Sequence, residues 1–211
     1  MVFRDRDEAG KKLAQKLAKC RKSKPLVLAI PRGGVVIGKE IADFLSCPLD
    51  IIVTKKLGAP HEPELAIGAV DPDGDIVIDD RLAKIVGADK GYIKQEASIK
   101  KEEILRRMRL FRPGKEDLSV GGKTVILTDD GIATGATMEA AIRYVIKKSP
   151  KKIILAIPVA SPESISKLKD LVDEVVCLEE PSFFSAVGQF YQDFPQISDE
   201  EVLKILTFQP T

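Results

Sequence analysis

Residues 124–137 read TVILTDDGIATGAT, and this stretch decides the fold class of the 211-residue chain. Its apolar beginning, Thr124–Thr128, has the length and composition of a buried strand. Two acids, Asp129 and Asp130, follow at once, and then come the small residues Gly131–Gly135 and an amphipathic helical pattern. This order predicts one unit of an α/β protein, with the acids and the loop at the carboxyl end of the strand.

The same alternation of apolar runs and helical patterns extends over most of the chain. The other segments predicted to be buried strands are Leu26–Ile30, Ile51–Thr54, Ile153–Ile157 and Glu174–Leu178. Helices are predicted between them, at Val35–Leu45, Thr134–Lys148 and Pro162–Val172. Strands that alternate with helices pair in parallel through right-handed crossovers. We therefore predict an α/β fold with a mostly parallel central sheet flanked by helices.

One segment interrupts this alternation. Ala66–Ile78 is predicted to be a hairpin with Asp73-Gly74 at its turn. The charged segment Asp80–Arg112 is predicted to be a helix with one narrow apolar stripe. We interpret it as a helical insertion, over about residues 80–112, that packs over one edge of the sheet. The whole chain, 1–211, has the length of a single domain.

Composition excludes several classes of partner. The chain has 33 basic and 32 acidic side chains, so its formal net charge of +1 gives no basis for binding nucleic acid. No apolar run approaches the roughly 20 residues of a membrane span, and the charged N-terminus does not resemble a secretory signal. Cys20, Cys47 and Cys177 form no CxxC pair, which favours reduced thiols. We expect a cytoplasmic protein without membrane or nucleic-acid partners.

The loop after Asp130 has the chemistry of a phosphate site. Small residues let backbone N–H groups approach an anion, and the N-terminus of the next helix adds unpaired donors. The hydroxyls of Thr134 and Thr137 can either cap that helix or bond the phosphate. The adjacent acids would repel a phosphate unless a group lies between them, and a ribose diol with a divalent ion nearby fits that requirement. The alternative is a tight turn with a capping residue and two solvated acids.

The motif is not a nucleotide P-loop, because no GKS or GKT follows, and it lacks the GxGxxG pattern of dinucleotide sites. VILTDDGIATGAT resembles the phosphoribosyl pyrophosphate motif of type I phosphoribosyltransferases. The resemblance implies their fold and assigns the ribose hydroxyls to Asp129 and Asp130, which would also hold Mg²⁺, indirectly through water. It assigns the 5-phosphate to the loop residues Gly131, Ile132, Ala133, Thr134, Gly135, Ala136 and Thr137.

A second candidate site follows the first predicted strand, at Pro31-Arg32-Gly33-Gly34. Two glycines let backbone N–H groups face an anion, and Arg32 adds a permanent charge with two-pronged geometry. Alone, this segment would be an ordinary glycine turn. IPRGGVVIGKEIA, however, resembles the family's pyrophosphate-binding loop. The resemblance implies that Arg32, Gly33 and Gly34 bind pyrophosphate, and that Arg32 is catalytic together with Asp129 and Asp130.

Lys55 and Lys56 are predicted to end the second strand at the same edge of the sheet. They are either solvated or contact pyrophosphate, and family members often carry a basic residue there. His61 is the only histidine, and no metal ligands stand at suitable spacing around it. An acid–base role and a loop histidine without function both remain open.

The segment Glu180–Ile197 concentrates five of the eleven aromatic residues, which by itself predicts a small satellite core. The resemblance implies instead a C-terminal hood, over about residues 180–197, that holds the base. The candidates for base binding are Phe183, Phe184, Tyr191 and Phe194.

The resemblance implies an enzyme that transfers phosphoribosyl to a nitrogenous base and releases pyrophosphate, as in purine or pyrimidine salvage. Its partners would be small-molecule substrates and a second copy of the chain, since relatives are commonly dimers. Ala133 stands where hypoxanthine–guanine enzymes carry an acid, so the acceptor base stays open. The alternatives are a phosphoribosyl pyrophosphate sensor without catalysis and an inactive interaction subunit. The intact acid and glycine motifs and the missing DNA-binding module favour the enzyme.

Overall fold

The computed structural model describes residues 2–114 and 119–207. In chain order its strands are β1 (Leu26–Ala29), β2 (Leu49–Ile51), β3 (Lys55–Ala59), β4 (Glu62–Val70), β5 (Ile76–Ile78), β6 (Thr124–Thr128), β7 (Lys152–Val159) and β8 (Glu174–Glu179). Its α-helices are α1 (Arg6–Lys16), α2 (Gly33–Leu45), α3 (Asp80–Ile85), α4 (Lys90–Phe111), α5 (Ala136–Lys147), α6 (Pro162–Leu168) and α7 (Asp199–Thr207).

The predicted central sheet is confirmed. Five parallel strands lie in the order β2-β1-β6-β7-β8. Every residue of β1 and β6 is buried, as expected for a parallel sheet that is covered on both faces. Residues of α1 and α2 form the hydrophobic core on one face, and residues of α5 and α6 form it on the other. The carboxyl ends of β1 and β6 are neighbours, which brings the loops after them together.

The second strand differs from its prediction. It ends at Ile51, whereas the apolar run Ile51–Thr54 was expected to be the strand. Ile52, Val53 and Thr54 are buried, but they form a connection between two sheets. An apolar run indicates burial and cannot by itself distinguish a strand from a buried connection. Lys55 and Lys56 therefore begin β3 and do not end β2.

The predicted hairpin belongs to a separate antiparallel sheet of order β3-β4-β5. Its turn lies at Asp73-Gly74 as predicted, with Gly74 at φ +92°. The sequence did not indicate β3, because two lysines and a glycine in five residues are poor strand formers. The small sheet is attached to α5 through Lys147, which contacts the buried carboxylate of Asp71 at 2.6 Å and also pairs with Asp75.

The helical insertion is interrupted. The expected single helix Asp80–Arg112 is α3 and α4, separated by four residues in which Gly87 has φ +71° and the side chain of Asp89 accepts from the backbone N–H of Tyr92 at 2.7 Å. A left-handed glycine followed by an aspartate cap is a helix stop and a helix start. α4 lies against β3 and β4. Helices of the described residues lack the combination of length and apolarity that crossing a membrane requires.

The C-terminal end of α4 is attached to the edge strand β2 by an ion pair. Nε and Nη2 of Arg112 donate to the two carboxylate oxygens of Asp50 at 2.9 and 3.1 Å. The two side chains are only 8% and 15% exposed, so solvent screens the pair weakly.

We predict that Arg112→Met lowers the free energy of unfolding by about 3 kcal/mol, because it leaves a poorly solvated carboxylate at Asp50. Urea unfolding measures the effect. Arg109→Met is the control, since Arg109 is exposed on the same helix and its loss should change stability by less than about 0.5 kcal/mol. Equal stability of Arg112→Met and wild type would contradict the assignment.

Candidate functional site

The two aspartates lie at the carboxyl end of β6, in the middle of the sheet. The Oδ1 atom of Asp129 accepts from the backbone N–H of Asp130 at 2.8 Å. The Oδ2 atom of Asp130 accepts from Nε of Arg6 at 2.8 Å. The two carboxylates are therefore adjacent but accept hydrogen bonds from different donors. Only Asp130 has a cationic partner among the described residues.

Arg6 is a site residue that sequence reasoning missed. It is the first residue of α1, is 7% exposed, and donates through Nη1 to the carbonyl oxygen of Pro195 at 2.8 Å. Its guanidinium carbon lies 3.7 Å from the ring centroid of Phe194. In the sequence, Arg6 is one of many charged residues of the N-terminal segment, and nothing there distinguishes it. Only the fold brings Arg6 to Asp130.

Both aspartates are difficult to ionise. Burial raises the pKa of Asp129 well above its ordinary value, and the like charge of Asp130 raises it further. Burial also raises the pKa of Asp130, although Arg6 opposes the shift. Because charged carboxylates gain from donors and cations, this pair favours a ligand that offers hydroxyl groups or a divalent ion.

Gly33 and Gly34 are the first residues of α2 and lie directly against the two aspartates. A Cβ atom on Gly33 would lie 1.8 Å from Oδ2 of Asp130, and one on Gly34 would lie 2.8 Å from Cα of Asp129. Any side chain at these positions would collide with the acids. The Arg-Gly-Gly segment and the acids, predicted separately, thus form one site.

Arg32 contacts a residue of α7, and its role in binding pyrophosphate stays a prediction. Its Nη1 atom is 3.6 Å from Oδ1 of Asp199, the first residue of α7. That oxygen is buried and has no hydrogen-bond partner in the described part of the chain. The peptide bond between Pro31 and Arg32 is cis. In this conformation the guanidinium is directed to α7 and does not line the cavity that contains Asp129.

The predicted phosphate loop is held by hydrogen bonds with residues at and after the end of β7. The backbone N–H of Ile132 donates to Val159 at 2.9 Å, and the carbonyl of Ala133 accepts from the hydroxyls of Ser161 and Ser164 at 2.8 and 2.6 Å. These contacts anchor one side of the loop to the connection between β7 and α6.

The helix after this loop begins without a side-chain cap. Its N-cap is Gly135, at φ +81°, and no side chain of the described residues caps the first turn of α5. The first N–H groups of a helix lack partners within the helix. Thr134 is exposed and Thr137 is half-buried, so both hydroxyls stay available, while the carbonyl of Thr137 accepts from Oγ1 of Thr54 at 3.1 Å. The N–H groups at the start of α5 can therefore donate to an anion.

A cavity of about 580 Å³ opens over this edge of the sheet. It brings together five residues from the predicted site and its neighbours, namely Pro31, Lys55, Lys56, Asp129 and Thr137. A second cavity of about 500 Å³ lies between the phosphate loop and the small sheet, and Lys56 lines both. The lysines are therefore near the candidate site, although their place in the fold differs from the prediction.

The wall of the larger cavity opposite the sheet comes from α4. Its lining residues on that helix are Tyr92, Glu96, Lys100 and Arg107. Sequence reasoning assigned no site residue to the insertion. A signal was present, because these positions recur at helical spacing and form one polar stripe.

The aromatic residues of the C-terminal segment differ in exposure. Phe183 is 90% exposed, and the ring of Phe184 packs against Phe190 at 5.0 Å between centroids. Phe194 lies against Arg6 and is half-buried. Phe194 is linked to Asp130 through Arg6, which contacts both.

Tyr191, a predicted candidate for base binding, has a covered ring in this structure. It is 6% exposed, with the rings of Phe3 and Phe194 at 5.4 and 4.9 Å. Its hydroxyl donates to the carbonyl oxygen of Asp130 at 2.6 Å, and burial raises its pKa, which keeps the donor protonated. Tyr191 therefore positions the backbone of Asp130 and presents no open face to a base. His61 is exposed in the turn between β3 and β4, and its role stays open.

The comparisons identify the class of this fold and site. The model of the phosphoribosyl transferase domain family matches residues 5–195, and the chain belongs to this family. The fold is that of type I phosphoribosyltransferases, as predicted.

Individual relatives agree with this assignment. The chain is 41% identical to the protein in the crystal structure of TT1426 from Thermus thermophilus, with a TM-score of 0.83 over the whole of both chains. It is 40% identical over 205 residues, or 97% of its length, to the "Putative phosphoribosyl transferase Rv0571c" of Mycobacterium tuberculosis, of which it covers 46%. It is also 26% identical over 124 residues to uracil phosphoribosyltransferase of Aquifex aeolicus, covering 59% of this chain and 57% of that protein. The chain thus spans about half the length of its Mycobacterium relative.

The acid pair predicts a characteristic pH dependence. Because the pKa of Asp129 is raised above its ordinary value of 3.8, the folded protein binds this proton more tightly than the unfolded chain does. The group therefore costs stability as the pH rises through 3.8, up to the raised value. We expect Asp129→Asn to raise the melting temperature at pH 7, with a gain that shrinks towards pH 4. Asp170→Asn, which removes an exposed charge, should give no such gain. A destabilised Asp129→Asn at pH 7 would be inconsistent with this electrostatic cost.

The close approach of α2 predicts a steric effect. Gly33→Ala places a methyl group on the Asp130 carboxylate and should displace the contact with Arg6, at a cost of about 2 kcal/mol in the free energy of unfolding. Gly121→Ala is the control, since its Cβ would meet only one atom at 3.6 Å. Denaturant titration compares the two variants, and an effect of equal size in both would refute the steric account.

Proposed function

We propose that this chain is a phosphoribosyltransferase that binds phosphoribosyl pyrophosphate with Mg²⁺ and transfers its phosphoribosyl group to a nitrogenous base. The observation that carries the proposal is the pair Asp129 and Asp130 at the carboxyl end of β6, followed by a loop whose helix begins without a cap. Acids for a sugar diol and donors for its phosphate stand side by side there. Membership of the phosphoribosyl transferase domain family supports the same assignment.

The residues fit a magnesium ion that is held mainly by water and substrate. The described residues contain no group of three or more acidic, histidine or cysteine side chains able to enclose a metal. Mg²⁺ is commonly bound by one or two carboxylates together with phosphate oxygens. Asp129 and Asp130 supply that number, and the burial that raises their pKa values favours a cation beside them. When bound, the ion would supply positive charge for the pyrophosphate group.

In the proposed reaction the chain holds its substrates and stabilises charge. The lone pair of the base nitrogen forms a bond to C1 of the ribose, while the electrons of the C1–O bond leave with pyrophosphate; a proton on that nitrogen passes to solvent. Backbone N–H groups of Gly33 and Gly34, with Lys55 and Lys56, face the developing charge. Arg32 would assist only after its contact with Asp199 is exchanged for the ligand.

The base would lie on the side of the C-terminal segment. Phe183, Phe184 and Phe194 are the remaining candidates for stacking on it, since the ring of Tyr191 is covered. Ala133 has no carboxylate to accept a proton, which disfavours a hypoxanthine–guanine activity. The acceptor base is therefore left to experiment. A cytoplasmic location and a single domain over 1–211 stay predictions from the sequence, and a homo-oligomer stays a prediction from the resemblance.

Isothermal titration with phosphoribosyl pyrophosphate and Mg²⁺, followed by pyrophosphate release over a panel of bases, tests the proposal. Wild type should bind and turn over at least one base. Asp129→Asn/Asp130→Asn should weaken binding at least about tenfold, since the ribose diol loses two charged acceptors. Asp170→Asn, exposed and distant in sequence, serves as the matched control. Binding without turnover of any base would support the sensor, and no binding by wild type would overturn the proposal.

A further inference from the structure

One face of α4 carries polar side chains at regular helical spacing. The stripe contains Tyr92, Glu96, Lys100, Glu103 and Arg107, at successive intervals of four, four, three and four residues. Such spacing places all five on one side of the helix. The buried residues of α4, which are Ala97, Ile104 and Phe111, form a neighbouring stripe that packs into the protein. The polar stripe therefore has a fixed orientation towards the cavity over Asp129.

The charges in this stripe are largely neutralised, with Glu103 at the centre. Its carboxylate pairs with Lys55 and with Lys100, both at 3.0 Å, and Lys100 also lies 3.4 Å from Glu96. Partial burial opposes ionisation, but the hydrogen bonds from the two lysines lower the pKa of Glu103. Lys55 and Lys100 thus already have carboxylate partners in this conformation.

Arg107 is the exception. It is half-buried and lines the cavity together with Asp129 and Thr137. Within residues 2–114 and 119–207 it has no ion pair and no hydrogen bond. Lys56, exposed at the same cavity, likewise has no ion pair with a described residue. A guanidinium in partial burial without a carboxylate is poorly solvated, which favours an anionic ligand.

We propose that Arg107 of the helical insertion binds the pyrophosphate group of phosphoribosyl pyrophosphate, with Lys56 as the second cation. This inference rests on the function proposed above. It assigns to α4 the part of the site that binds the leaving group, pyrophosphate. The diphosphate would lie between the N-terminus of α2 and the polar stripe of α4. Because Arg32 contacts Asp199 on α7, Arg107 is the arginine that already lines this cavity.

A guanidinium on a long helix suits the leaving group. Arginine binds two phosphate oxygens at once and keeps its charge at every physiological pH. The helix that carries this guanidinium is held by the packing of Ile104 and by the attachment of Arg112 to β2. A cation on a helix held in this way lies near the leaving group before negative charge develops on it.

Separate titrations with inorganic pyrophosphate plus Mg²⁺ and with ribose 5-phosphate test this assignment. Arg107→Ala should weaken pyrophosphate binding at least about tenfold and leave ribose 5-phosphate binding unchanged, since only one end of the substrate loses a contact. Arg107→Lys should recover part of the affinity because it restores the charge. Arg106→Ala is the matched control, as Arg106 is exposed and lies outside the stripe. Melting temperatures of all variants establish that the fold is intact.

The outcomes separate this inference from the proposed function. Wild type that binds both probes, with pyrophosphate affinity unchanged in Arg107→Ala, overturns the role of Arg107 and leaves the phosphoribosyltransferase proposal standing. Wild type that binds neither probe overturns both. In the turnover assay, Arg107→Ala should raise KM for phosphoribosyl pyrophosphate and leave KM for the base unchanged, which a general structural defect would not do.

Discussion

The contact between the start of α2 and the two aspartates after β6 is the constraint on which the site depends. Gly33 and Gly34 lie so close to Asp130 and Asp129 that even one carbon atom does not fit between them. The contact is possible because β1 and β6 are adjacent and parallel, so their carboxyl ends open at the same place. Pairing of two strands thus brings the start of a helix next to an acid pair, and the other residues of the candidate site are arranged around this contact.

The acid pair lowers the stability of the folded protein. Two adjacent carboxylates are half-buried, and only one of them has an arginine partner among the described residues. Selection for stability alone would not place two carboxylates together with a single cationic partner. Locally unfavourable arrangements of this kind are concentrated at functional sites. Contacts from Arg6, Tyr191 and Gly34 hold the two acids in place. The carboxylates remain able to contact a ligand.

The sequence predicted the parts of the molecule whose causes are local. Apolar runs indicated the central strands, and Asp73-Gly74 indicated the turn. It could not show contacts between distant segments. Arg6 is an ordinary member of a charged stretch, and only tertiary packing distinguishes it from its neighbours. The polar spacing on α4 is visible in the sequence, but its position at the cavity with Asp129 is not. Burial of the Tyr191 ring depends on Phe3 and Phe194, so the sequence could not show it.

The partners of Arg6 also bear on the order in which the chain assembles. Arg6 contacts Asp130 and Pro195, which are 124 and 189 residues away along the chain. Loops of that length close late, because their entropy must be met by contacts already formed. During synthesis from the N-terminus, a nascent chain can complete β1, β6 and their shared edge before residue 195 exists. A chain interrupted before residue 191 would therefore carry its aspartates without the contacts that Tyr191, Phe194 and Pro195 make with Asp130 and Arg6.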